Sequence, residues 1–241
     1  MRRALYCALS LTTFAPWAFS GSNLTVILDF KGPHSNGAVS EMQRETETIF
    51  KDSGLHLDWR FREEALHASY DDLVLVRFRG ACVLEPAPYP PYLYDELGPS
   101  ETLAFTHTTD GAVLPFSEVA CNKVAASARS TMHGGDFARS DLFLGRALGR
   151  VLAHELVHIL TGSGKHGREG VEKRALSGRQ LTEESLPLSS DDLERLRRAF
   201  LRPGVKLPAK LPADPHGLHC GPGDSTPASQ CSTESPMLPP D

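Results

Sequence analysis

Two imidazoles four positions apart, with a carboxylate beside the first, are the side chains in this sequence best spaced to do chemistry. They are His154, Glu155 and His158 in the stretch HELVHILTGSGKH, which ends at His166. An α-helix rises about 1.5 Å per residue and turns once in about 3.6, so His154 and His158 project from one face and can close on a single ion. Zinc accepts neutral imidazole nitrogen at about 2.0–2.1 Å, and a catalytic site keeps three protein ligands and one open position. A third ligand is therefore needed. The candidates are His166, returned by a reversal at Gly162 and Gly164, and the downstream carboxylates Glu169, Glu172, Glu183 and Glu184. A glutamate that does not ligate can instead orient a ligand histidine from behind. Glu155 stands at the general-base position, where it takes a proton from a water acidified by the ion and can return it to a departing amine.

Such a site needs a long helix held against a core. Residues 140–161 supply one, with Leu144, Leu148, Val151, Leu152 and Ile159 among the apolar positions and Gly162 as the stop. Upstream, residues 23–30 read as a strand ended by the turn cluster KGPHSNG. Residues 38–52 form an amphipathic helix through Val39, Met42, Ile49 and Phe50, with Ser40 and Gln43 as a capping box and Ser53-Gly54 as the stop. LHLDWRF alternates like a strand buried on one face, whereas the consecutive apolar run Leu73 to Val76 describes a more central strand. The proline- and tyrosine-rich stretch EPAPYPPYLYDELGPS reads as an extended surface loop or the lining of a groove. Two further strands flank Thr109-Asp110-Gly111 within ETLAFTHTTDGAVLPFSEVACNKV, and a second helix spans 191–201.

At 241 residues, 40% hydrophobic and 23% charged, the chain has the composition of one globular domain with an appendage. Arg2 and Arg3, an apolar run and the small-residue exit near Ser20 describe a secretory signal peptide. The division is then a signal over 1–20, a domain over 21–202, and a Pro/Gly/Ser-rich, poorly ordered tail over 203–241. The expected location is secreted or periplasmic, without stable membrane insertion after cleavage. Loss of Arg2 and Arg3 moves the formal net charge from −5 to −7, which disfavours nucleic acid as a partner. Loss of Cys7 leaves four cysteines, an even number suited to disulfides. Cys82 with Cys121 in the folded region, and Cys220 with Cys231 in the tail, is the favoured pairing. His34, His56, His107, His216 and His219 receive no role.

The pattern resembles the metzincins within the zincin metallopeptidases, whose motif H-E-x-x-H-x-x-G-x-x-H places a third histidine beyond a helix-ending glycine. Here it is matched by His154, Glu155, His158, Gly162 and His166 over an element order similar to the family's upper subdomain, about residues 23–166. The resemblance implies zinc on His154, His158 and His166, Glu155 as base, and an α+β fold with a mixed twisted sheet, an amphipathic helix, the zinc helix and a small C-terminal helical part. Two departures stand out. Thr161 occupies the family's glycine position, and His166 follows His158 by eight residues instead of six. The family's methionine beneath the metal also has no counterpart before Met237, so Leu176 and Leu181 are candidates for that space, and Arg168 and His133 for stabilising an oxyanion. The expected function is peptide-bond hydrolysis on a peptide or protein substrate. The competing class is an inactive zincin-like module that recognises a surface through the Tyr/Pro loop around a structural zinc.

Overall fold

A strand buried continuously from Leu24 to Asp29 opens the structure: β1 (Ser22–Phe30), followed by α1 (Asn36–Phe50), β2 (Leu55–Phe61) and the short α2 (Arg62–Ala65). Then come β3 (Leu73–Arg79), the hairpin β4 (Ala104–Thr109) and β5 (Ala112–Ala120), α3 (Cys121–Arg129), a 3₁₀ segment (Gly134–Arg139), α4 (Ser140–Thr161), α5 (Gly178–Thr182) and α6 (Ser190–Phe200). The computed structural model describes residues 22–66, 68–84, 102–182 and 185–200. The expected signal peptide, the Tyr/Pro loop, the tail, Glu183, Glu184 and the Cys220–Cys231 pair lie outside the described residues.

The five strands form one sheet in the order β2-β1-β3-β5-β4. Only the β4–β5 pair is antiparallel; β1–β2, β1–β3 and β3–β5 are parallel. The sheet is mixed, as the resemblance implied, but it is mostly parallel, because α1 carries the chain back so that β2 starts again beside the beginning of β1. The result is a mixed α/β architecture. Every side chain of β3 from Leu73 to Phe78 is buried, which is why its apolar run is continuous, while the edge strand β2 keeps an alternating pattern. The hairpin turns at Asp110 and Gly111, both in the left-handed region.

One sheet face carries Val26, Leu28, Val74, Val76, Phe78 and Val119 against α1 and α4. The other carries Ile27, Leu73 and Leu75 under Ala65 and Tyr70, then the buried ions Asp29, Arg77 and Glu118, in which Arg77 Nε donates to Asp29 at 3.1 Å. On the first face α1 and α4 approach closely along Gly145 and Gly149. A Cβ on Gly149 would stand 2.8 Å from the Met42 carbonyl oxygen, and Thr46 donates to the Gly149 carbonyl at 3.2 Å. Arg150, with no exposed surface, closes the same interface: its Nε donates to Glu45 at 2.8 Å and its other end to the Gln180 carbonyl at 2.6 Å.

Two local expectations change. The cap of α1 is Ser35, whose Oγ accepts from the Ala38 amide at 3.4 Å and donates to Asp141 of α4 at 2.7 Å, so the helix starts earlier than the Ser40/Gln43 reading implied. The capping residue is chosen by a contact more than a hundred positions away. The second hairpin strand also stops at Ala120, and CNKVAASAR forms α3, an alanine-rich helix that the strand reading of this stretch overlooked. Cys121 at its first position pairs with Cys82, with Cα atoms 4.8 Å apart. No helix among the described residues is long and apolar enough to cross a membrane.

Candidate metal centre

The last two turns of α4 end in a reversal written by one glycine. Gly162 takes φ 60°, a left-handed conformation that a residue without Cβ adopts freely. Its amide donates to the Ile159 carbonyl at 3.2 Å and the Ser163 amide to the His158 carbonyl at 3.1 Å, the two bonds of a Schellman cap. The chain then doubles back along the helix. His154, His158 and His166 come together with one ligand atom from each inside 4.8 Å. Their ring centroids are 4.7, 5.2 and 4.8 Å apart for the pairs 154–158, 154–166 and 158–166. The wider spacing after His158 is thus taken up by the loop.

Tautomers follow from what the other ring nitrogens meet. His154 Nδ1 lies 2.9 Å from the Val171 carbonyl oxygen and His158 Nδ1 lies 2.7 Å from the Ser163 carbonyl oxygen. A carbonyl oxygen only accepts, so both Nδ1 atoms carry the proton and both Nε2 atoms of the neutral rings are left as lone pairs. Those two Nε2 atoms face each other at 3.0 Å. Burial, more than any neighbouring charge, pushes both histidines below the usual imidazole pKa, and His166 is lowered by burial and then by Arg174. Two converging lone pairs at this range repel unless a cation lies between them, and nitrogens bound to tetrahedral zinc stand ~3.3 Å apart. The donor set fits a zinc ion.

Glu155 is buried and lies on the sheet side of the same helix. Thr106 Oγ1 of β4 donates to its Oε2 at 2.6 Å, Ser117 Oγ of β5 lies 3.4 Å from that oxygen, and Oε1 has no hydrogen-bond partner among the described residues. Burial raises its pKa, with the Thr106 bond opposing. Glu155 and His154 open onto a cleft of about 290 Å³, lined also by Leu103, Lys173, Arg174 and Leu176.

The remaining candidates separate cleanly. Glu172 has no exposed surface; Arg195 donates to its Oε2 at 3.1 Å, and its Oε1, without a hydrogen bond, is 3.9 Å from His158 Nδ1. That is the side of the ring turned away from His154, so Glu172 backs a histidine and does not join the converging nitrogens. Burial pushes its carboxyl up to about 7 against the Arg195 contact. Glu169 is exposed and outside the cluster. Leu181 is a core residue and Leu176 lines the cleft. Arg168 and His133 are exposed and line no part of the cleft. Sequence reading overlooked Thr106, Ser117 and the Val171 and Ser163 carbonyls. The hydroxyls carry no spacing signal, and a backbone carbonyl carries none at all.

Known proteins provide little beyond this geometry. No family model matches the chain, and no curated protein matches its sequence. Among solved structures it is similar to archaemetzincin (amzA) from Methanopyrus kandleri, with 15% identity and a TM-score of 0.45 over 77% of this chain and 98% of that one.

Proposed function

We propose that this chain is a secreted zinc-dependent metallopeptidase. The observation that carries the reading is the pair of imidazole lone pairs facing each other at 3.0 Å, with a third imidazole beside them and a buried carboxylate opening onto the adjoining cleft. His154, His158 and His166 would hold the ion, and bound zinc supplies acidification of a water and polarisation of the scissile carbonyl. The protein's own groups do the rest. Glu155 is held at one oxygen by Thr106, so its other oxygen is presented at a fixed position, and its raised pKa makes it a stronger base toward a water proton. The proton it accepts is then available to the amine that leaves. The Val171 and Ser163 carbonyls keep both helix histidines in the ligating tautomer before any ion arrives. β4 is an edge strand, and no described strand pairs with its outer side, which suits an extended peptide laid beside the cleft.

The test joins metal analysis to a protease assay. Glu155→Gln retains zinc and loses on the order of 10²–10⁴-fold in hydrolysis, the usual contribution of a general base. His166→Ala lowers zinc occupancy; an affinity equal to wild type would give the third-ligand role to another residue. Full zinc loading with no cleavage of any peptide pool by the wild type would instead favour the inactive binding module.

A further inference from the structure

The cleft onto which Glu155 opens is lined in part by two cations, Lys173 and Arg174. Lys173 is half-buried and Arg174 exposed, both lining the cleft with His154 and Glu155. Neither side chain has an ion-pair or hydrogen-bond partner among the described residues. Of the buried acids, Glu172 and Asp192 are engaged by Arg195, and Glu155 accepts from Thr106 at one oxygen only. The stretch that carries the two cations is also anchored. Gly167 bridges to Lys173, the Gly167 amide donates to the Glu172 carbonyl at 2.9 Å, and the fully buried Val171 donates to Pro187 at 3.2 Å. A pair of positive charges is thus held at the reaction cleft of a chain whose net charge is −5.

We infer that Lys173 and Arg174 select substrates bearing a carboxylate close to the scissile bond, so that the enzyme acts on acidic peptides. The inference rests on the peptidase reading and names its substrate class. An acidic group entering the cleft meets two cations that need not leave other partners. A basic group meets like charge in a confined space, which raises the discrimination. Two exposed ion pairs give a preference of about 2- to 30-fold at low salt, shrinking as salt is added. The carboxylate has two sources, an Asp or Glu side chain or a peptide's own C-terminus.

Zinc-loaded Glu155→Gln full-length protein, which binds without consuming, is titrated with dye-labelled peptides matched except for Glu, Gln or Lys at the central positions, all with amidated C-termini. A fourth peptide carries Gln and a free C-terminus. Wild-type cleavage of the same set is followed in parallel. The inference expects the Glu peptide, or the free-terminus peptide, to bind about 2- to 30-fold more tightly than amidated Gln, with Lys weakest, and the ranking to invert when K173E and R174E are added. Lys173→Gln with Arg174→Gln, checked for full zinc content, should flatten it. Equal binding of all four while the wild type cleaves them overturns the selectivity and leaves the peptidase reading standing. An unchanged ranking in the charge-reversed protein does the same. Neither binding nor cleavage of any peptide by zinc-loaded protein overturns both.

Discussion

Helix α4 has two sides that treat buried polar groups in opposite ways. Toward α1, Arg150 donates to Glu45 and to the Gln180 carbonyl, and Gly149 removes the last space between the backbones. Toward the cleft, two histidine lone pairs face one another and Glu172, behind His158, keeps an unbonded oxygen. A buried polar group left without a partner costs free energy, so a fold retains it where something else completes it. The paired side holds α4 against α1; on the proposed reading, the other side holds the ion and the substrate.

That contrast can be broken from the scaffold side first. Arg150→Met leaves Glu45 buried without its main partner and should lower unfolding free energy by about 3–5 kcal/mol in urea titration. A loss below about 1 kcal/mol would show that the pair is not closed off as described. Gly149→Ala drives a methyl into the Met42 carbonyl, and a loss of about 1–3 kcal/mol is expected, with zinc affinity of the folded fraction unchanged. The smallest effect sharpens the other side. Glu172→Gln keeps the shape behind His158 but removes the charge, and chelator competition should read a fall in zinc affinity of about 10-fold, the lower end for groups behind a ligand. The melting temperature of the metal-free protein should hold, because Arg195 retains Asp192 as its partner. A drop in stability with intact zinc affinity would assign Glu172 to the scaffold.

The residues that chemistry places by regular spacing were legible in the sequence. The i, i+4 histidines, the helix over 140–161 and the glycine that ends it follow from helical period and backbone freedom alone, and the structure has α4 at Ser140–Thr161 with Gly162 left-handed. Asp110-Gly111 wrote the hairpin in the same way. What escaped depends on tertiary neighbours. Ser35 outcompetes Ser40 as a cap because Asp141 waits for it, and the parallel pairing of β1 with β3 joins strands whose intervening segment carries no mark of parallel register. Glu172 could be a ligand, a supporting group or a surface charge by spacing alone. Its place behind His158 is fixed only when residues 163–172 fold back, a path set by carbonyls and glycines.

The bridge joins Cys82 and Cys121, 39 positions apart in the chain, with β4 and β5 between them. In the chain-entropy account, a loop of that length is worth about 4 kcal/mol to the oxidised protein. The hairpin inside it carries the hydroxyls that grip Glu155. Reduction of that one bond, which takes two electrons, would remove this contribution from the part of the chain that carries Thr106 and Ser117, leaving β5 held by its pairing with β3.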